Sequence, residues 1–382
     1  MRGKYFGAPE DHVRKIGRGQ FLKLGGTGLA GAAMIGTFDP YLLAQTSHRT
    51  SLSSEFKAAS RRYRVPEELL LAMGYVNTLW EMPPPATSVY DPDDLHGRGA
   101  YGVMQLVQNP SADTLGWASA LTGLSEWQLK MDRASNVLGG AAVLADIVGR
   151  RRPRDLEGWQ DAVAEYGSGL LYAQEVYETL EEGTSLTIAT GEALELGSQD
   201  GVEVPVVYTT MATADYSRAI WYGAYHNGIS GPCENQHNYC IRSRENILNI
   251  SRIVIHVAEG SYSGTIDWFN NRSAYVSAHY VVGRRGKVAQ CVRDKNIAYH
   301  AGDWWYNQHS IGIEHAGYGG NASTWTDAMY HASARLSAYV SRKYKIPVDT
   351  DHIVRHRQVS STNCPGDHFK MRRYLRLIRR YR

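Results

Sequence analysis

The chain has 382 residues, 43% of them hydrophobic and 21% charged, the composition of an ordinary globular protein rather than a disordered one. Single cores seldom grow past roughly 300 residues, so two domains are expected. A net charge of +3 is too weak to make nucleic acid the main ligand, and no nucleic-acid partner is expected.

The first 46 residues read as an export signal. "RKIGRGQFLKLGGTGLAGAAMIG" has a basic start, then an apolar, small-residue run of about 15 residues from Leu24 to Phe38. That run is too short for a comfortable membrane span. "RGQFLK" resembles the twin-arginine export motif, with Gly19 in place of the second arginine. Cleavage is expected after Ala44, with an uncleaved anchor as the alternative. The expected location is therefore outside the cytoplasmic membrane: secreted, periplasmic or wall-associated, with no stable span after cleavage.

Residues 47–182 read as a mainly α domain. Residues 52–82, which contain "SSEFKAASRRYRVPEELLLAMGYVNTLWEM", read as helical, with Pro66 opening a second helix. Further helical periods run through residues 125–182. Residues 183–215, rich in Gly, Ser and Thr, are expected to be a linker. From residue 216 to 382 strands alternate with helices, the pattern of an α/β sheet domain. "RIVIHVAEG" is a short buried strand, and "AHYVVGRRGKVAQCV" is a hairpin around a glycine turn. "HSIGIEHAG" is another strand, followed by a helix that begins near Asp327. The terminal "KMRRYLRLIRRYR", with seven basic residues, is a helix with a solvated face or a surface for an anionic polymer.

Six histidines fall near strand ends in this second half: His256, His279, His300, His315, His352 and His356. Most single histidines are structural, so only convergence would make them ligands. His356 stands eight residues before Cys364. That cysteine is either half of a disulfide, for instance with Cys291, or a thiolate beside an imidazole on a metal. Cys233 and Cys240 enclose six residues and suit a local disulfide in an exported protein.

Five segments occur in order: "IVIHVAEGS", "VSAHYVV", "AYHAG", "HSIGIEHAG" and "HRQVSSTNCPG". Together they resemble the zinc-dependent N-acetylmuramoyl-L-alanine amidases, the amidase type 2 and peptidoglycan recognition protein family. The resemblance implies an α/β amidase domain with a central mixed β-sheet flanked by helices. It implies Zn2+ on His256, His356 and Cys364, with His352 the rival for the second ligand. It implies Glu314 as the carboxylate that handles the proton, against the plain alternative of a surface glutamate. Thr362 stands where some relatives carry an oxyanion-stabilising lysine, and Ala278 where some carry a tyrosine. His279, His300, Trp304, Trp305, Tyr306 and Asn307 are candidates to line the substrate cleft, with a structural role the equal alternative for His279 and His300. The implied substrate and partner is peptidoglycan, cut between N-acetylmuramic acid and L-alanine. Binding without catalysis is the alternative, because Ala278 and Thr362 depart from the family pattern.

The first half, in "VPEELLLAMGYVNT", "GRGAYGVMQL" and "AVAEYGSG", more loosely resembles lytic transglycosylases of the goose-type lysozyme fold. Their general acid is a glutamate, and in register this chain has Asn77. Glu81, one turn further along, could replace it only if the helix continues, and "GVMQL" would line the glycan groove with Tyr166 opposite. A lysozyme-like helical domain that grips glycan without cutting it is therefore expected. A second, glycan-cleaving activity is the alternative.

Overall fold

Helices come first, and most start at a short polar side chain that takes up free amide groups. The structure, a computed structural model, describes residues 50–92, 94–167, 169–207, 212–229, 232–242 and 249–382. The export segment expected over residues 1–46 lies outside these. Ser51 caps α1 (Leu52–Tyr63), and Pro66 precedes α2 (Glu67–Thr78). Asp113 caps α3 (Thr114–Thr122), and a Ser125–Gln128 capping box opens α4 (Glu126–Met131). Asp132 caps α5 (Arg133–Val148), followed by α6 (Gln160–Tyr166) and α7 (Leu170–Glu182). Between α2 and α3 lie two short paired strands, β1 (Ala100–Tyr101) and β2 (Leu106–Val107). Leu70, Met73, Trp80, Leu144, Trp159 and Tyr177 are fully buried in the resulting core. A buried ion pair, Arg133 Nε to Glu55 Oε2 at 2.8 Å, ties α1 to α5.

Two expectations change here. Helix α2 stops at Thr78 rather than at residue 82. Leu79 and Trp80 take left-handed backbone angles (φ 57° and 63°). This turns the indole inward, where its Nε1–H donates to Leu71 O at 2.7 Å. The stretch 183–215 is not linker throughout. β3 (Thr184–Thr187) and β4 (Ala193–Leu196) form an antiparallel hairpin. Ile188, Leu194 and Leu196 from this stretch join the helical core. The alternation in "ALEL" gives one apolar face, which the Gly and Thr content concealed. Residues 46–382 belong to one compact unit.

The rest is an α/β region. Its strands in chain order are β5 (Ile220–Trp221), β6 (Tyr239–Cys240), β7 (Arg252–Ile255), β8 (Tyr280–Val282), β9 (Val288–Gln290), β10 (Ile297–Ala298), β11 (Ser310–His315) and β12 (Ile353–Arg355). Six form one mixed sheet in the order β12–β7–β11–β8–β9–β5, while β6 and β10 pair separately. β12, β7, β11 and β8 run parallel, and β8–β9 is the expected hairpin. Gly286, at φ 84°, closes its turn. The flanking helices are α8 (Tyr262–Asn270), α9 (Trp304–His309), α10 (Asp327–Tyr344) and α11 (Met371–Tyr381). Among the described residues no helix is long and apolar enough to cross a membrane.

The two regions interlock through polar contacts. Glu175 of α7 accepts from Ser263 N–H in the first turn of α8 at 2.8 Å, where a helix N-terminus favours negative charge. Arg285 pairs with Glu182 at 2.8 Å, and Lys287 pairs with Glu178. Replacing Arg133 with Met leaves Glu55 buried without its partner. Urea unfolding should then show a loss of about 3–5 kcal/mol.

Candidate active site

Parallel pairing brings the site together. β12 pairs with β7 so that Arg355 lies opposite Ile255. The next residues, His356 and His256, therefore emerge side by side at the carboxyl ends of adjacent strands. Their rings lie 4.4 Å apart, centroid to centroid. Open parallel sheets commonly place their ligand sites at such ends. β11 pairs with β7 on the other side, Ile313 opposite Ile255, which brings Glu314 level with His256. Cys364 returns from the loop after β12, and its carbonyl accepts from Arg357 N–H at 2.8 Å. One donor atom from each of His256, His356 and Cys364 lies within 4.8 Å of the others.

The outer nitrogens of both imidazoles are tied. His256 Nε2 meets His300 Nδ1 at 3.0 Å. His356 Nε2 meets Ser360 Oγ at 2.9 Å and Ala301 O at 3.1 Å. The Nδ1 atoms of both are buried with no hydrogen-bond partner. An unpaired buried polar atom is costly unless something satisfies it. Two free imidazole nitrogens and a sulfur form a donor set that zinc accepts, with each ring oriented from behind. Cys364 Sγ also accepts from Val257 N–H at 3.2 Å.

Glu314 is fully buried, and neither carboxylate oxygen has a hydrogen-bond partner. Oε1 lies 3.9 Å from His256 Nδ1. Burial pushes this carboxyl up to about 8, Arg98 pulls it down, and Glu259 adds to the rise. Burial, together with His356 and His300, holds the His256 imidazole well below its ordinary value. Burial also lowers His356. Burial, then Glu314, pushes the Cys364 thiol well above its ordinary value.

The other candidates divide. His352 Nδ1 bonds Asp349 Oδ1 at 2.7 Å and is outside the donor cluster. His279 and His300, for which cleft-lining and structural roles are equal expectations, are both buried. His279 accepts from Gly312 N–H and meets Asn296 O. His300 lies between His256 and Ser310 Oγ, so it orients the neighbouring histidine rather than a ligand. Asn307 is also turned inward, its Oδ1 accepting from the His300 and Ala301 amides at 3.0 and 2.8 Å. Thr362 Oγ1 accepts from Cys364 N–H at 3.2 Å, beside the sulfur. Trp304 and Trp305 are 48% and 45% exposed. Trp304 lines an open cavity with Tyr275 and Tyr299, while Trp305 stacks on His309. Tyr306, half-buried, packs edge-on against Trp305. His315, whose nitrogens meet His256 O and Ser333 Oγ, is structural. Cys233 and Cys240 form the expected disulfide, and Cys291 and Cys364 are free.

In the helical region Asn77 Nδ2 and Tyr166 OH both donate to Met104 O, at 3.2 and 2.8 Å. Glu81 lies beyond the end of α2, and its carboxylate holds Ala189 N–H at 2.8 Å. The possibility that it replaces a glutamate at position 77 is therefore set aside. Three residues escaped the sequence reading: His96, Arg98 and Glu259. His96 and Arg98 sit in a loop of the helical region, and nothing local to their segment points to the sheet.

The sequence profile described as N-acetylmuramoyl-L-alanine amidase matches residues 246–367. N-acetylmuramoyl-L-alanine amidase A of Achromobacter lyticus is 34% identical over 184 residues, 43% of this chain and 95% of that protein. The 1,6-anhydro-N-acetylmuramyl-L-alanine amidase AmpD of Haemophilus influenzae is 32% identical over 112 residues, 27% of this chain and 59% of its own length. A solved structure of a selenomethionine AmpD derivative aligns at a TM-score of 0.34 and 24% identity, covering 44% of this chain and 99% of that one. On the Achromobacter relative, matched over nearly its whole length, the chain belongs to the N-acetylmuramoyl-L-alanine amidase family.

The thiolate is the nucleophile toward alkylating agents, and both free thiols are buried with raised pKa values. In metal-free native protein at neutral pH, iodoacetamide should label neither Cys291 nor Cys364 at an appreciable rate. Denaturation without reductant should reveal both, and mass spectrometry would count them.

Proposed function

We propose that this protein hydrolyses the amide bond between N-acetylmuramic acid and the L-alanine of the peptidoglycan stem peptide, with Zn2+ held by His256, His356 and Cys364. The observation that carries this reading is the convergence of two partnerless imidazole nitrogens and a thiol sulfur beside a buried, unpaired Glu314. Bound zinc supplies an activated water and polarises the scissile carbonyl. Glu314 takes the proton of the attacking water on a carboxylate oxygen. It then delivers that proton to the departing alanine nitrogen as the C–N bond breaks. Thr362 accepts from Cys364 N–H, which leaves its own O–H to donate to the oxyanion. Trp304 and Trp305 offer exposed rings on which sugar or peptide can pack.

The helical region serves as a glycan grip. Asn77 and Tyr166 line a cleft together with Trp268 and Asn271 of the α/β region. A neutral amide at position 77 cannot act as a general acid, so no glycan cleavage is assigned to this cleft. Peptidoglycan lies outside the cytoplasmic membrane, in keeping with the export signal read in residues 1–46.

Incubation with purified sacculi tests the reading. Zinc-loaded protein should release stem peptides, and a chelator or Cys364→Ala should abolish release. Glu314→Gln should lower kcat by about 10²–10⁴-fold while zinc content stays unchanged. Binding to sacculi without any release would replace the amidase with a binding protein.

Metal affinity should also depend on pH. The Cys364 thiol must lose its proton to bind metal, whereas His256 and His356 are already neutral near pH 7. Zinc affinity should therefore rise about tenfold per pH unit between roughly pH 6 and 8. Competition titration with a chromophoric chelator would measure this slope.

A further inference from the structure

The basic helix at the end of the chain, α11, takes no part in the site described above. Residues 327–382 carry 13 Lys or Arg against 4 Asp and no Glu, in a chain whose net charge is only +3. The rest of the chain is therefore net acidic, and positive charge is gathered at this end. The apolar stripe of α11 is used by the fold. Tyr374, Leu375 and Ile378 are buried, and Tyr374 OH meets Ser333 Oγ and Ser337 Oγ of α10, each at 2.7 Å. Ser333 Oγ also meets His315 Nε2. α11 thus lies on the side of the sheet that His315 faces, opposite the side of Glu314.

Two of its arginines are likewise committed to the fold. Arg373 pairs with Asp327 at 2.6 Å and lies over the Tyr330 ring. Arg379 Nη2 donates to Val348 O at 2.8 Å. Arg372, Arg376 and Arg380 are different. All three are exposed, and among the described residues none of their guanidinium groups has a hydrogen bond, an ion pair or a ring contact. Spaced by four residues, they form one row along the helix, about 6 Å apart in axial rise. Like charges at this spacing destabilise a helix. The helix dipole favours Arg380 in the last turn but opposes Arg372 in the first. Neither packing nor helix electrostatics therefore accounts for the row.

What the row fits is a chain of fixed negative charges. A guanidinium offers two parallel N–H donors to the oxygens of one phosphate. Free charges in single file follow a linear polymer, whereas a bilayer presents a plane. Insertion into a bilayer is closed to this helix, because among the described residues none of its large apolar side chains is exposed.

We propose that the outer face of α11 is a docking surface for a linear phosphodiester polymer of the cell envelope, laid along Arg372, Arg376 and Arg380. Its place on the far side of the sheet leaves the opposite face free while the polymer is held. The envelope as the polymer's source rests on the amidase reading; the binding itself does not.

The test uses the full chain and lipid-free poly(glycerol phosphate), labelled for fluorescence anisotropy, over a range of salt. One variant carries Arg372→Gln, Arg376→Gln and Arg380→Gln. A control removes three scattered exposed charges through Lys57→Gln, Arg61→Gln and Lys295→Gln. The α11 variant should bind about tenfold or more weakly, and the slope of log affinity against log salt should fall by about two, at about 0.7 per phosphate contact. Affinity of the control should change less than about twofold, since scattered exposed charges are screened. The unfolding midpoint of the α11 variant should equal or exceed that of wild type, because like-charge repulsion is relieved. No binding by wild type, or equal losses in the two variants, would overturn the inference. So would a fall in the unfolding midpoint, which would give the row a role in the fold. Tighter binding to phosphatidylcholine–phosphatidylglycerol vesicles at equal phosphate would replace the polymer with a membrane surface. Arginine-dependent binding to sacculi stripped of phosphate would replace it with stem-peptide carboxylates. Stem-peptide release from the stripped sacculi is measured in parallel: its absence in wild type would remove the amidase reading and leave the polymer binding to be decided on its own.

Discussion

The site depends on the parallel pairing of β12, β7 and β11. With Arg355 opposite Ile255 and Ile313 opposite Ile255, the residues that follow in each strand stand in one row. His356, His256 and Glu314 form that row because parallel strands keep a constant register. A slip of one residue would reverse the facing of a strand's side chains, sending Glu314 to the side now held by His315. His315 shows the other side of the same alternation, anchoring His256 O and Ser333 of α10.

Burial gives this row its chemistry. Glu314, His256, His300 and Cys364 are each at most 5% exposed. In such surroundings a neutral imidazole, a protonated thiol and a protonated carboxyl are favoured over their charged forms. A cation held by these donors would reverse the preference at Cys364 and at Glu314. The outward nitrogens of His256 and His356 already have partners in His300, Ser360 and Ala301. Only the inward nitrogens therefore lack one. Asn307 extends the support by one further layer, fixing the amides of His300 and Ala301.

The helical region is part of the same design. α7 caps α8 through Glu175, basic residues of the β8–β9 turn meet acidic residues of α7, and the loop before β1 places His96 and Arg98 against the strand end. These contacts are polar and directional, so they set orientation more than stability. The stability of the helical region comes from its own core, built around Trp80, Trp159 and Tyr177. The hairpin at residues 184–196 extends that core past the point where composition suggested a linker.

Much of this was legible in the sequence because it is local or ordered. Apolar runs ending in histidine marked the strands, and the eight-residue spacing of His356 and Cys364 marked the loop between two members of the donor cluster. Pro66 and Asp327 marked helix starts, and the six residues between Cys233 and Cys240 marked a short disulfide loop. What the sequence by itself determined is the set of candidates: the histidines near strand ends, Cys364 and Glu314. Tertiary structure alone decided which of the buried histidines face the donor cluster and which stand behind it, since His256 and His300 have equally plain contexts. It decided that α2 ends at Thr78, because a buried indole outweighed helical continuity. It also decided that Arg98, more than 150 residues before His256, reaches the Ala258 carbonyl just past that histidine. Such a contact is set by the packing of two regions, and no local pattern in the chain encodes which distant loop will reach a given strand end.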